Sequence, residues 1–186
     1  MVRPGSLVRK GDQIVSAAST ITLVTAGLRK IIVDTGAPGE EDALRKRFEE
    51  MGVTTDSIDT VVSTHLHIDH CGCNDIFENA TFVAHRLEDP PVGTIRLAGE
   101  TTLATGIVVL PTPGHTAGSV SVLVEAERRY AISGDAIPTR SDYEQHVPPF
   151  IHSDRALAVK SMDILLEWAD VVVPGHDSVF EVVRKK

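Results

Sequence analysis

Thr64-His65-Leu66-His67-Ile68-Asp69-His70 packs three imidazoles and a carboxylate into six residues, directly after the run Ile58-Asp59-Thr60-Val61-Val62. A β-branched run giving way to polar residues predicts a buried strand that ends in a loop. Side chains two apart on an extended segment point the same way. His65, His67 and Asp69 therefore share one side, and His70 aims elsewhere once the chain turns. Two groups of ligand types on one short loop suit two adjacent metal ions. The alternative is a polar loop that happens to be rich in histidine. It is the weaker reading, because imidazole clusters are the usual mark of zinc sites and other loops supply further ligand types.

The chain of 186 residues is long enough for one well-filled domain, residues 1–186. An apolar content of 42% fits an ordinary globular protein. A net charge of −8 disfavours a long nucleic-acid groove, which wants a basic face, without excluding a nuclease whose metal ions carry the positive charge. Cys71 and Cys73 lie too close to form a disulfide framework. Met1 to Ile14 lacks a signal-peptide core, and no apolar run is long enough to cross a membrane. A cytoplasmic protein with a small-molecule substrate is expected, with no membrane association; a homodimer is compatible.

Outward from the histidine loop, Ile14–Ser16, Thr20–Thr25 and Lys30–Val33 read as strands, the last two joined by a hairpin at Ala26–Arg29. Asp34-Thr35-Gly36 reads as a turn in which Asp34 bonds backbone N–H groups rather than metal. Leu44, Phe48 and Met51 recur at helical spacing in Glu40–Met51, and Gly52 stops that helix. Gly72–Phe77 reads as a short helix with Ile76 and Phe77 inward, and Thr81–Ala84 as a strand ending at His85. Gly106–Leu110, Ser119–Val124 and Arg129–Ser133 read as further strands. The first runs into Pro111-Thr112-Pro113-Gly114-His115, where two prolines and a glycine fix a turn. After a proline-broken loop, Ala136–His152, Ser153 reads as the N-cap of a helix over Asp154–Ala169, with Leu157, Ile164, Leu165 and Trp168 on one side. Val171-Val172-Val173 is a last buried strand, ending in Pro174-Gly175-His176.

Four loops that each follow an apolar strand thus carry His65 to His70, His115, Asp135 and His176. Ligands so far apart in sequence meet only in the folded chain, at one end of a strand scaffold. His65, His67, Asp69, His70, His115, Asp135 and His176 are too many for one tetrahedral zinc. Two ions account for all of them if a carboxylate bridges, which fits Asp135.

At this point the chain resembles the metallo-β-lactamase superfamily over nearly its full length. The family's His-x-His-x-Asp-His stands here as His65-Leu66-His67-Ile68-Asp69-His70, followed by Pro113-Gly114-His115-Thr116, Ser133-Gly134-Asp135 and Pro174-Gly175-His176. The resemblance implies a four-layer αβ/βα sandwich of two mixed sheets. It also implies that His65, His67 and His115 bind one metal, that Asp69, His70 and His176 bind another, and that Asp135 lies between. The presence of Asp135 points away from the true β-lactamases and toward the glyoxalase II-like branch of hydrolases. The chain stops ten residues after His176, short of a glutathione-binding helical region like that of glyoxalase II. Quorum-quenching lactonases place a tyrosine three residues after the bridging aspartate, where this chain has Pro138. The segment Ala169–His176 most resembles the metallo-β-lactamase domain-containing protein 1 group, whose animal members are nucleases for histone pre-mRNA.

A dizinc site carries net positive charge even with Asp69, Asp135 and a bridging hydroxide counted. Such a site lowers the pKa of bound water toward about 7 and supplies a nucleophile. Asp69 would orient that hydroxide and pass on its proton. Three functions follow: a dizinc hydrolase of a small ester, thioester or lactone; a metal-dependent phosphodiesterase or RNase; and a mononuclear iron oxygenase of the persulfide dioxygenase kind, held by His65, His115 and Asp135. Two zinc ions are expected, with iron or manganese as alternatives. Cys71 and Cys73 read as small residues packed at a helix start. His85 either lines the cavity or is structural. The loop 136–152, with Tyr143, His146 and His152, either covers the site and selects substrate, chiefly through Tyr143 and His146, or is a solvated connection.

Overall fold

Ile31-Ile32-Val33, Val61-Val62, Ala131-Ile132 and Val172-Val173 offer apolar side chains to both faces of their strands, as strands covered on both sides must. In the computed structural model, which describes residues 1–184, neighbouring members of these runs enter different cores. Ile31, Val33, Val62, Ile132 and Val173 meet in one central cluster. Ile32 and Val61 face away from it toward Leu44, Phe48, Ile58 and Phe77. Ala131 and Val172 face Met162, Leu165 and Phe180 on the opposite side.

A hairpin of β1 (Ser6–Lys10) and β2 (Gln13–Ala18) forms a separate two-stranded sheet. The first main sheet has the order β3 (Thr22–Ala26), β4 (Arg29–Val33), β5 (Thr60–Val62), β6 (Thr81–His85), β7 (Ile95–Leu97), with β4 to β7 parallel and β3 antiparallel. The second comprises β8 (Thr101–Ala104), β9 (Ile107–Pro111), β10 (Val120–Glu125), β11 (Arg129–Gly134), β12 (Val171–Pro174) and β13 (Phe180–Glu181), neighbours in that order. Only β11 and β12 run parallel there. Helix α1 (Glu41–Glu50) covers the first sheet through Leu44 and Phe48. Beyond the short helices α2 (Ile68–Cys71) and α3 (Arg140–Gln145), α4 (Arg155–Trp168) covers the second sheet. The layers therefore run helix, sheet, sheet, helix: an αβ/βα sandwich of two mixed sheets.

Register brings the chemistry to one edge. Val33 pairs with Val62 and Val62 with Val83, so β4, β5 and β6 release their following loops at one level. Gly134 pairs with Pro174, so β11 and β12 release Asp135 and His176 side by side. The two sheets are joined at this edge where Val120 N–H donates to Thr64 O at 2.8 Å.

Several elements depart from the sequence reading. β1 was absent from it, because Ser6–Lys10 is a mixed-polarity segment whose strand character comes only from pairing with β2. The edge strands β7 and β8 were missed for the same reason. The expected helix at Gly72–Phe77 instead runs through the histidine motif as α2, and a 3-10 turn over Asn74–Ile76 follows; Ile76 and Phe77 are buried as expected. The loop after Asp135 contains α3, closed by a capping box between Thr139 and Asp142.

Helix α4 is rotated from the face expected. Leu157 and Ile164 are 41% and 42% exposed, and the buried face is Ala158, Ser161, Met162 and Leu165. The cause is close approach of the Pro113-Gly114 turn. A Cβ on Gly114 would lie 2.2 Å from Ala158 N, and Ser161 Oγ donates to Pro113 O at 2.7 Å. Only small residues on α4 allow this contact. Asp154 caps the helix by accepting from Leu157 N–H, while Ser153 donates through its side chain to Gly114 O. Among the described residues no helix is long and apolar enough to cross a membrane.

Gly114 holds φ +137 beside this contact. Gly114→Ala should therefore cost about 1–3 kcal/mol of stability through overpacking and backbone strain. Urea unfolding would show this as a lower midpoint at unchanged slope, whereas Gly39→Ala, in open space though also at positive φ, isolates the strain contribution alone.

Candidate metal centre

The histidine loop leaves β5 at Ser63 and is fixed within a few residues. Asp34, buried at the end of β4 with φ 58, accepts from Thr64 N–H through Oδ1 and from Thr64 Oγ1 through Oδ2, each at 2.8 Å. His70 Nδ1–H donates to the same Oδ2 at 2.8 Å. Asp34 thus bonds a backbone N–H, as its sequence suggested, but one from the loop after β5, and it also orients an imidazole. The turn into α2 at Ile68 separates His70 from His65 and His67.

Glu88 ties this loop to the one bearing His115. Its Oε2 accepts from Leu66 N–H at 3.0 Å; its Oε1 accepts from Thr116 Oγ1 at 2.6 Å and from Gly118 N–H at 3.0 Å. Glu88 itself lies in a 3-10 turn, Arg86–Glu88, that His85 caps by accepting from Leu87 N–H. His85 is therefore structural. Nothing in the local sequence marks Glu88, whose three partners come from loops distant in the chain.

All seven expected residues converge, in two groups. His115 Nε2 lies 3.2 Å from His65 Nε2 and 3.0 Å from His67 Nδ1. His70 Nε2 and His176 Nε2 are 3.2 Å apart, with Asp69 Oδ2 at 3.9 Å and 3.7 Å from them. Asp135 stands between the groups: Oδ2 is 3.5 Å from His115 Nε2, while Oδ1 is 3.5 Å from His70 Nε2 and 3.2 Å from His176 Nε2. A Cβ on Gly175 would lie 2.2 Å from Asp135 Oδ1, so only glycine lets β12 end against that carboxylate.

Hydrogen bonds on the outer nitrogens set the tautomers. His115 Nδ1–H donates to Ile151 O at 2.7 Å and His176 Nδ1–H to Ala18 O at 3.0 Å. Thr64 Oγ1, its own proton given to Asp34, accepts from His65 Nδ1 at 3.1 Å. The Nε2 lone pairs of His65 and His115 then face each other, an arrangement that repels unless a cation lies between. Burial, then the His70 charge, push the His65 pKa well below its usual value, and burial lowers that of His67, so both stay neutral as ligands must. Burial also opposes charge on His70 and His176, but the Asp34 and Asp135 carboxylates outweigh it for His70, raising it to about 9, and Asp135 does so for His176. Burial would raise the Asp135 pKa, yet the His70 and His176 charges hold it well below the carboxylate range. Asp135 Oδ1 is buried with no hydrogen-bond partner. An orphaned anionic oxygen facing imidazole nitrogens fits a divalent cation.

The remaining candidates lie outside these groups. Cys71 ends α2 rather than starting a helix, its thiol donating to His67 O at 3.4 Å. Cys73 is buried against Ala37 O, and burial pushes its thiol up to about 11. Tyr143 stacks on Phe180 with ring centroids 4.8 Å apart and accepts from Val183 N–H, and His146 lies 3.3 Å from Asp163. Neither lines the cleft over the clusters, contrary to the expectation that they select substrate; α3 turns both toward β13 and α4. Pro138, Pro149, Phe150 and Ile151 of that segment do line it.

The metallo-β-lactamase superfamily model matches residues 17–96 and 85–176. A probable metallo-hydrolase of Methanocaldococcus jannaschii is 33% identical, aligned over 94% of this chain and 84% of its own length. Metallo-beta-lactamase domain-containing protein 1 of Xenopus laevis is 28% identical over 94% of this chain and 77% of its own. An N-acyl homoserine lactonase of a Bacillus species is 28% identical over 74% of this chain and 63% of its own. A crystal structure of a putative metallo-beta-lactamase from Thermotoga maritima superposes with a TM-score of 0.79 at 26% identity, covering 97% of this chain and 96% of that one. The chain belongs to the metallo-β-lactamase superfamily. Within it, the protein is a metal-dependent hydrolase.

Removing Glu88 should loosen the first cluster selectively. Glu88→Ala should weaken one of two cobalt binding events by about 10–100-fold, and Glu88→Gln, which keeps an acceptor oxygen, by less. Titration of metal-free protein with cobalt, followed by visible absorption, measures each event; equal weakening of both would show that Glu88 supports the whole edge rather than one cluster.

Proposed function

We propose that the chain acts as one domain, residues 1–186, and holds two divalent ions, zinc in the first instance, to hydrolyse a small ester, thioester or lactone. The carrying observation is Asp135, which turns one oxygen toward His115 and the other toward His70 and His176. His65, His67 and His115 would hold one ion, and Asp69, His70 and His176 the other, with Asp135 shared. Such a pair supplies Lewis acidity at the attacked carbonyl and makes water nucleophilic near neutral pH.

The chain's own part is positional and acid–base. Asp34, Thr64, Ile151 O and Ala18 O fix the outer nitrogens of four imidazoles, so the inner nitrogens need no reorganisation during turnover. Asp69 reaches the same cleft and keeps a partly exposed carboxylate. It is suited to orient water, take its proton and return it to the leaving oxygen or sulfur.

Two features favour a carboxyl substrate over a phosphodiester. Among the described residues no lysine or arginine lines the cleft, whereas nucleic-acid backbones are held chiefly through such cations. The relatives also include enzymes named N-acyl homoserine lactonases. The complete second group, Asp69, His70 and His176, favours two ions over a mononuclear iron centre, although oxygenases of that kind also keep spare ligand types.

Metal analysis of protein purified without added metal should find two ions per chain, with zinc predominant. Asp135→Ala should lower metal affinity and kcat/KM by at least about 100-fold, with Asp135→Asn retaining one ion. A panel of lactone, thioester and phosphodiester substrates then tests the reaction class. One iron per chain with oxygen consumption would replace the hydrolase by an oxygenase, and turnover confined to phosphodiesters would replace the substrate class.

A further inference from the structure

The cleft over the metal clusters has a volume of about 380 Å³, within the roughly 300–1,000 Å³ of small-molecule sites. Its floor is polar: His67, Asp69, His115, Asp135 and His176. Its walls are Leu7, Ile14, Ile68, Pro149, Phe150 and Ile151. Four of these leave large apolar surfaces uncovered: Ile14 is 38% exposed, Phe150 47%, Ile151 50% and Ile68 65%. Apolar residues scattered singly over a surface need no explanation, but these come from three separate segments and converge on one concavity. Leu7 and Ile14 belong to the β1–β2 hairpin, Ile68 opens α2, and Phe150 and Ile151 precede α4.

We infer that these walls bind an apolar acyl or alkyl arm of the substrate, and that Ile14 and Phe150 determine specificity for its length. This rests on the hydrolase reading above for the bond that is cleaved, and adds the group that is recognised. The charge pattern fixes the chemistry of the arm. Of the charged side chains near the cleft, the carboxylates belong to the metal clusters, and the Arg9 guanidinium does not line it. Arg9 instead stacks on Phe150, with its central carbon 5.5 Å from the ring centroid, and so ties the hairpin to the opposite wall. Apart from Arg9, engaged on Phe150 at the rim, no lysine or arginine among the described residues stands at these walls to pair with the carboxylates of a glutathione arm or the phosphates of a nucleotide arm. A hydrocarbon arm would cover the four uncovered side chains and remove them from water. The cavity is too small to seat a folded partner.

The test uses metal-loaded protein and a series of straight-chain 4-nitrophenyl esters from acetyl to decanoyl. Wild-type kcat/KM should rise about fourfold per added methylene until the walls are filled, the factor that burial of one CH₂ provides. Ile14→Ser and Phe150→Ser should flatten that slope below about twofold per methylene. Val15→Ser, on the same hairpin but absent from the cleft lining and 63% exposed, should keep it. A parallel calorimetric titration with butanoate, hexanoate, octanoate and decanoate reads binding without turnover. Ester hydrolysis with no chain-length slope overturns the inference and leaves the hydrolase reading intact. No hydrolysis of these esters or of the lactone and thioester panel, with carboxylate affinity that rises with length and falls in Phe150→Ser, supports the apolar walls and overturns the proposed reaction. Loss of both signals overturns both. Sedimentation of wild type and Phe150→Ser at matched concentration covers the remaining occupant: a wild-type dimer that Phe150→Ser dissociates makes the patch a self-association surface and overturns the inference.

Discussion

A buried carboxylate cannot keep its charge without partners, and Asp135 has them on two sides. Its Oδ2 faces His115 and its Oδ1 faces His70 and His176, yet Oδ1 makes no hydrogen bond. Such an anion is costly in a protein interior unless cations approach both oxygens. The architecture around it serves that demand. Gly134 and Pro174 pair so that β11 and β12 end together, and Gly175 lies so close to Asp135 that no side chain fits there. The Pro-Gly-His and Gly-Asp sequences are thus two halves of one contact, each needing the other's backbone in place.

The two sheets contribute unequal shares. The first brings the histidine loop, the second brings His115, Asp135 and His176, and neither holds a complete cluster. What joins them at this edge is polar: Val120 N–H to Thr64 O across the sheets, and Glu88 between the loops of His67 and His115. The apolar layer between the sheets, built from residues such as Val33, Val62, Val122 and Val173, fixes their separation, and the polar links fix their registration. Positional accuracy at the clusters therefore comes from hydrogen bonds added to a scaffold whose stability is hydrophobic.

The candidate ligands stood out in the sequence because metal chemistry restricts residue type. Imidazoles and carboxylates at the ends of β-branched runs have few structural explanations, and all seven converge. The sandwich was legible through the resemblance, and the buried strands through their β-branched runs. Supporting residues were not. Asp34 could be placed in a turn, but its bond to His70 joins residues 36 apart and leaves no local trace. Glu88 is an ordinary acidic residue until the fold brings three donors to it. The rotation of α4 depended on Gly114 pressing against Ala158, a tertiary contact that overrides the helix's own apolar stripe. β1 and the cleft-lining places of Leu7, Ile14 and Phe150 escaped because hydrophobic patterning marks cores, whereas these side chains face a cavity.

His115 and His176 use their second nitrogen on main-chain oxygens of Ile151 and Ala18, one at each wall of the cleft. Each bond links a candidate ligand to a wall segment, because Ile151 is itself cleft-lining and Ala18 closes the β1–β2 hairpin. The position of either imidazole is therefore also the position of a wall. Linked equilibria are reciprocal: if filling the ion positions changes the affinity of the cleft for a small molecule, that molecule changes ion affinity by the same factor. Any such coupling between the ion positions and the cleft would run through these two hydrogen bonds of 2.7 and 3.0 Å.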